Sequence, residues 1–457
     1  MIFLNIYFFV SQHVLILFNL IYIYTYKMKY IKKILDNGMY IIMVPTKNTN
    51  IITIGFFIKA GSRNETDENS GIAHFLEHMM FKGTSNRTAE KLFNELDTLG
   101  AVYNAATTAE HTYYYVYGNS DDTKKLLDIM LDIYVNTEFT ANEINKERKV
   151  IIEEMRMRED SPLIRLYLAL HQKMFKGTSL SRNVIGNAET INNFKKRDLD
   201  NFRSSLYKPE NTVFVISGNF SPDPVFKIIS NILSPLINTT DSAIIYFEEK
   251  STILKNMRSQ NEPRIYIKKS TTIRQVYVIF AFPMYDLYTY ENQEIDLLVH
   301  LLSAGLSSRL SKALRENNGI TYVSDAYPIT YSDCGLFIIQ MILNPIEMVK
   351  GITIVLKELA KTKEDLMSKD ELKKIINVTK NETLYSLTKP TEILTYFGIN
   401  FLSNREYKPE ILTYFEKLKM ITRAQIQKVA GEIFKRDKIN LYIYGNVDQT
   451  DFNFIEL

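Results

Sequence analysis

Beyond Met28 the apolar positions recur with two periods. Alternating or continuous apolar runs predict strands, and apolar residues three and four apart predict helices. KYIKKILDNGMYIIMVP reads as two strands joined by a turn at Asn37-Gly38. A strand (IITIGFFIKA), a helix (GIAHFLEHMMF), a second helix (AEKLFNELDTL), a hairpin (AVYNAATTAEHTYYYVYG) and two helices follow. A helix and a strand, DLDNFRSSLYKPENTVFVISGN, close the series. A similar order then returns. A strand (QVYVIFAF) precedes two helices (ENQEIDLLVHLLSAGL and SSRLSKALRENNG), the strands of YVSDAYPITYSDCGLFIIQMI, further helices and the closing AQIQKVAGEIFKRDKINLYIYGN.

Both series end in an apolar strand stopped by Gly-Asn, at Gly218-Asn219 and at Gly445-Asn446. Between them, over residues 234–262, periodicity fades and Pro, Asn, Thr and Ser gather, as in a linker. The pattern predicts an α+β fold of two similar units, residues 28–233 and 263–457, each a largely antiparallel sheet packed with helices. A repeat this long is a duplicated domain, not a solenoid.

Composition narrows the chemistry. The 457 residues leave room for two or three domains, and 46% hydrophobic with 23% charged residues is ordinary for a globular protein. A net charge of +3 without a Lys/Arg stripe gives no reason to expect a nucleic-acid partner. The single cysteine, Cys334, excludes an intramolecular disulfide and a Cys-rich zinc finger. Any metal must be held by His and carboxylate.

Residues 1–27 are a separate question. The first 26 carry no Lys, Arg, Asp or Glu, and roughly 20 apolar residues span a bilayer. They lack the basic start and cleavage site of a signal peptide and the Arg-rich pattern of a transit peptide. If they insert, Lys27, Lys29, Lys32 and Lys33 hold the remainder on the cytoplasmic side. The other reading starts translation at Met28. A cytoplasmic location fits both, with membrane anchorage only if residues 1–27 are translated and retained.

The chemistry concentrates in GIAHFLEHMMFKGT, which holds two of the six histidines. His74 and His78, four apart, project from one helix face and can reach one ion. Glu77 falls beside them and can act on a water at the metal without being a ligand, the zincin logic with its internal order reversed. Ser70 or Asn69 can cap this helix and Gly83 can end it. A catalytic zinc takes a third protein ligand, and the helix NEINKERKVIIEEMRMRED offers four glutamates. Ile144, Ile151 and Met155 mark its buried stripe at roughly 100° per residue. Glu154, with Glu147 two turns earlier, lies beside that stripe, whereas Glu153 points to solvent. The same glutamates also suit a charged helix with ordinary salt bridges.

Residues 55–84 (GFFIKAGSRNETDENSGIAHFLEHMMFKGT) resemble the signature of the pitrilysin and mitochondrial-processing-peptidase family of inverzincins. GAVYNAATTAEHTYYY at 100–115, ERKVIIEEMRMREDSP at 147–162 and SSRLSKALRENNGITY at 307–322 resemble it too. The resemblance implies a zinc metalloendopeptidase with one Zn2+ per chain, held by His74, His78 and Glu154, with Glu77 as base and Glu147 as accessory glutamate. It implies that Asn104 and Ala105 pair with the substrate backbone by β-augmentation, and that Arg315 and Tyr322 contact the substrate near the scissile carbonyl. It also implies a clam-shell chamber of four such domains, hence a second subunit. A homodimer is expected, because both half-sites occur on one chain. A heterodimer with a non-catalytic subunit is the alternative, and a catalytically inactive scaffold subunit is the rival function. His111 reads as a packed histidine, Arg309 as structural, and His300 is too isolated for a second zinc site. At Ser179 the family usually has Pro, a change of loop and not of chemistry.

Overall fold

The structure, a computed structural model, describes residues 29–237, 259–289, 292–407, 409, 411–447 and 452. Residues 1–27 and most of the expected linker lie outside them. Among the described residues no helix is long and apolar enough to cross a membrane.

The first unit runs β1 (Ile31–Ile34), β2 (Tyr40–Pro45), β3 (Ile51–Ile58), α1 (Ile72–Met79), α2 (Ala89–Thr98), β4 (Val102–Thr107), β5 (Thr112–Asn119), α3 (Thr123–Asn136), α4 (Ala141–Asp160), α5 (Pro162–Met174), α6 (Ala188–Asn193), α7 (Lys196–Leu206), β6 (Thr212–Gly218) and α8 (Pro222–Leu233). The second runs β7 (Arg264–Lys269), β8 (Val276–Met284), α9 (Asn292–Ser303), β9 (Thr321–Thr330), β10 (Gly335–Leu343), α10 (Met348–Glu364), α11 (Lys369–Ser386), α12 (Pro390–Ser403), α13 (Ile411–Met420), α14 (Arg423–Ile433) and β11 (Asn440–Gly445).

The sheet orders are β1-β2-β6-β3-β5-β4 and β7-β11-β8-β10-β9. Strand for strand, the second order repeats the first without β1. In each sheet one pair is parallel, β2 with β6 and β7 with β11, and every other pair is antiparallel. The duplication is therefore real, and the sheets are mixed. β7 precedes QVYVIFAF, where the sequence pattern starts the second unit. Its alternation is weak because it is an edge strand and exposed at both ends.

Four helices, not two, stand between the first hairpin and the closing helix α7: α3, α4, α5 and the short α6. Ser161-Pro162 breaks what would be one long helix, since Ser161 caps α5 and Pro162 opens it. SSRLSKALRENNG forms only a short wide turn, Ser311–Glu316, with π-helical bonding.

Each sheet buries one face under helices of its own unit. The other face is covered by a helix from the opposite unit. Helix α5 sets Leu166, Leu170 and Met174 against Ile279, Ala281, Leu336 and Tyr442 of the second sheet. In return α12 sets Leu394, Phe397 and Phe401 against Tyr40, Ile42, Phe57 and Val215 of the first. Burying such side chains stabilises by about 1.5–3 kcal/mol each, so beside its own core each unit shares a further apolar cluster with the other. The approach is close at Gly398, where a Cβ would lie 2.3 Å from the Phe57 ring.

The units also meet at their hairpin tips. The turn between β4 and β5 supplies Glu110, and the corresponding turn between β9 and β10 supplies Ser332 and Asp333. Arg63, only 2% exposed, donates to both oxygens of Asp333 at 2.8 and 2.7 Å and to Glu110 at 2.8 Å. Glu110 in turn accepts from the Ser332 N–H and hydroxyl.

Candidate metal centre

Helix α1 begins abruptly, and its start fixes everything that follows. Gly71 takes φ 93°, a left-handed turn into the helix, and a Cβ there would lie 2.7 Å from the Gly186 backbone. Neither Ser70 nor Asn69 supplies the side-chain cap. The buried carboxylate of Glu65 does, accepting from the Gly71 N–H at 2.8 Å and the Ala73 N–H at 2.9 Å. Burial raises the pKa of Glu65 to about 8 against the pull of those two donors. The helix ends at Met80, before Gly83, which instead bridges to Thr88.

Within α1, Ile72, Ala73, Phe75, Leu76 and Met79 face the core. His74, Glu77 and His78 turn toward α4 and the β4–β5 hairpin. Thr140 caps α4, accepting from the Glu143 N–H, and Ile144, Ile151 and Met155 bury its inner stripe. That stripe brings Glu154 Oε2 to 3.7 Å from His74 Nε2 and 3.5 Å from His78 Nε2. In a tetrahedral site with ligands about 2.0–2.1 Å from zinc, the ligand atoms stand roughly 3.4 Å apart. Both distances from Glu154 are close to that spacing, and all three ligand atoms lie within 4.8 Å of one another, so the donor set fits that ion. Among the described residues it is the one group of three such side chains whose ligand atoms lie within 4.8 Å of one another.

The surroundings suit a cation. His78 turns Nδ1 to Glu147 Oε2 at 3.2 Å, and Lys82 holds the other oxygen of Glu147 at 2.7 Å. This is the carboxylate–histidine support common behind metal ligands. Burial opposes a proton on His78, but Glu147 and Glu154 outweigh it and raise its pKa to about 9. Burial, then the neighbouring His78, pushes His74 the other way. Glu154 is kept well below the usual carboxylate range, chiefly by its hydrogen bond from His78. His74 Nδ1 is buried and has no hydrogen-bond partner among the described residues.

Glu77 stands outside the triad. Its Oε2 accepts from the Thr107 hydroxyl at 2.6 Å, and burial raises its pKa despite that bond. Thr107 closes β4, the outer strand of its sheet. Asn104 and Ala105 lie on the same strand, and the Asn104 side chain accepts from the Ala105 N–H at 2.8 Å. Among the described residues no strand pairs with the outer edge of β4, beside Glu77.

Glu153, 68% exposed in its side chain, pairs with Arg156 and not with the histidines. His111 sits in the turn before β5, not in the strand. Its ring stacks near Tyr113, burial lowers its pKa to about 4, and it takes no part in the triad. His300 binds Thr379 and Glu382, and Arg309 binds Glu371 and Thr362. Ser179 is buried and accepts from Arg63. Arg315 lies on the Ser311–Glu316 turn with its guanidinium 4.6 Å from the Tyr322 ring centre. Tyr322 is 82% exposed. No hydrogen bond, ion pair or ring contact among the described residues joins this pair to the triad.

Glu65, Thr107, Lys82 and Arg158 escape the sequence reading. Arg158 follows Glu154 by four positions on α4, a helical spacing, whereas Lys82 lies just beyond the end of α1. Glu65 and Thr107 act across loops, where no period applies.

A His₂Glu cluster, its His74 buried and its His78 and Glu154 half-buried, with a separate carboxylate and set beside the outer strand of a sheet, has the chemistry of a metal-dependent hydrolase. Residues 40–188 match the family described as insulinase (peptidase family M16), and residues 193–379 match the peptidase M16 inactive domain. The chain belongs to peptidase family M16, with an active-type first half and an inactive-type second half. It is similar to the uncharacterized zinc protease YmxG of Bacillus subtilis, 27% identical over 88% of this chain and 95% of that one. A zinc protease of Rickettsia felis is 32% identical over 67% of this chain and 71% of its own. The mitochondrial-processing peptidase subunit beta of Bos taurus is 28% identical over 92% and 85%. A protease structure from Helicobacter pylori superposes with a TM-score of 0.83 at 25% identity, covering 92% of this chain and all of that one.

Proposed function

We propose that this chain is a zinc-dependent metalloendopeptidase that hydrolyses short or unfolded polypeptides inside an enclosed chamber, with one zinc ion per chain. The observation that carries this reading is the juxtaposition of Glu77 with three convergent ligands and the outer edge of β4. His74, His78 and Glu154 would hold the zinc, which when bound lowers the pKa of water and polarises a carbonyl. An extended peptide added to β4 would be gripped through its backbone, so its sequence would matter little along most of its length. Glu77, its pKa raised, takes a proton from the attacking water and delivers it to the leaving amine. Glu147 and Lys82 hold His78 in place throughout. An inactive scaffold role is less well supported, because the ligands, the base and the accessory glutamate are all present and assembled.

The metal assignment is tested by a pair of substitutions. Glu154→Gln should leave the purified protein with less than a tenth of its zinc, whereas Glu153→Gln should remain fully loaded, as read by elemental analysis. Equal loss in both would remove Glu154 from the ligand set.

The exposed Arg315–Tyr322 pair supports a site completed by a second chain. Arg offers a fork of donors and Tyr a hydroxyl, both suited to a carbonyl oxygen gaining charge. Because one chain carries both halves, a homodimer with composite sites in trans is the simplest closed arrangement. Mixing Glu77→Gln protein with Arg315→Ala/Tyr322→Phe protein, under conditions that exchange subunits, should restore up to about a quarter of wild-type activity for random pairing. Exchange without recovery would require a different partner chain, as the subunit name of the bovine relative would suggest.

A further inference from the structure

One cation at the zinc half-site has no part in the scheme above. Arg158 stands one turn beyond Glu154 on α4, and its Nε donates to Glu154 Oε1 at 2.9 Å. The opposite oxygen, Oε2, is the one that faces His74 and His78. Arg158 therefore lies against the side of the ligand that the metal does not use and need not move when metal binds. Its side chain is 43% exposed, and its two terminal NH₂ groups have no partner among the described residues. Neighbouring arginines differ. Arg148 directs both terminal nitrogens to Asn145 and Phe194, and Arg165 reaches the Glu159 carbonyl and the Tyr444 hydroxyl. Because Glu154 Oε2 faces the two histidines and Arg158 sits on its other oxygen, the guanidinium borders the space in front of the triad.

We propose that Arg158 is a specificity-determining residue that binds a substrate carboxylate close to the scissile bond. With Nε anchored on Glu154, the outer edge of the planar guanidinium presents two parallel N–H donors, the geometry that a carboxylate accepts in bidentate fashion. A half-buried charge fixed in one orientation discriminates better than a mobile surface lysine, because it loses little freedom on binding. The carboxylate has two sources, the side chain of an acidic residue flanking the cut or the C-terminus of a short peptide. The proposal rests on the peptidase reading above.

The test uses the full-length protein and fluorogenic peptides of one unstructured sequence. Glu replaces Gln singly at each of the three positions on either side of the cut, and one further neutral peptide ends in a free carboxylate in place of an amide close to the cut. Wild type should favour one of these acidic peptides over its neutral twin by about tenfold to a hundredfold in kcat/KM, the range for one hydrogen-bonded charge. Preference for a Glu peptide assigns a side-chain carboxylate, and preference for the free terminus assigns the chain end. In Arg158→Gln that ratio should fall to near one while zinc content equals wild type, Arg158→Lys should keep a reduced preference, and Arg158→Glu should reverse it. The same ratio should appear in equilibrium binding to Glu77→Gln protein, which requires no turnover. If wild type cleaves the neutral and acidic peptides equally, the Arg158 assignment is overturned and the peptidase reading stands. If Arg158→Gln keeps the ratio but loses zinc, Arg158 only braces Glu154, and the assignment is likewise overturned. If wild type neither cleaves nor binds any peptide, both fall.

Discussion

Glu77→Gln protein is expected to retain its zinc and bind peptide, yet to turn substrate over about 10²–10⁴-fold more slowly. The substitution keeps the shape of the side chain and leaves a carbonyl oxygen to accept from Thr107, so the hairpin beside it should hold. Only the ability to take a proton is removed. Glu77 belongs to no ligand set, since the atoms that converge belong to His74, His78 and Glu154, so metal content should not change. The raised pKa of its buried carboxyl brings it nearer to neutral pH, where a general base works best. Three measurements suffice: elemental zinc, peptide anisotropy and fluorogenic turnover. Loss of zinc in this variant would make Glu77 a ligand and undo the proposed division of labour. Retention of near-wild-type turnover would exclude it as the base.

Arg63→Leu is expected to destabilise the protein by about 3–5 kcal/mol, the cost of leaving a buried charge without its partner. Its guanidinium is enclosed between Asp333 and Glu110, one carboxylate from each unit, and Asp333 is itself 5% exposed. Without Arg63, Asp333 stays buried beside Glu110 with nothing to neutralise either. The double variant Arg63→Leu/Asp333→Leu should recover much of the loss, because an apolar pair can replace a buried ion pair at little cost. Glu110 would keep its bonds from Ser332. Urea unfolding of the two variants checks this, and a loss below about 1 kcal/mol in the single variant would show that the cluster is held by other means. The tie matters locally as well, since the backbone of Ser62 and Arg63 pairs with Thr108 and Ala109 at the end of the strand that steadies Glu77.

Features governed by a period were legible in the sequence. The helix wheel sets Glu154 beside the buried stripe and Glu153 in solvent, and the structure turns them the same way because α4 is long, regular and buried along one stripe. His74 and His78 were legible for the same reason, and the Gly-Asn stops at residues 218 and 445 did mark equivalent strands. What escaped was action at a distance. Normal capping rules look one or two residues back from a helix, so Ser70 and Asn69 were plausible, but Glu65 reaches Gly71 from six residues away. The amphipathic faces of α5 and α12 were visible as patterns, yet a pattern states that a face is buried without naming the sheet that buries it. Both went to the opposite unit. The turn carrying Arg315 has helical composition, but its wider π-helical bonding is not encoded in that composition.

The exchange of α5 and α12 has a consequence for the order in which the protein is made. A ribosome releases β2, β3 and β6 long before residues 390–403 leave the tunnel. At about 5–20 residues per second the wait is on the order of ten seconds or more. Throughout that interval Tyr40, Ile42, Phe57 and Val215 form a bare apolar surface on the nascent chain, awaiting a helix that is not yet synthesised. Helix α5 waits in the same way for the sheet beneath it. The apolar face of the first sheet can therefore be closed only after the far end of the message has been translated.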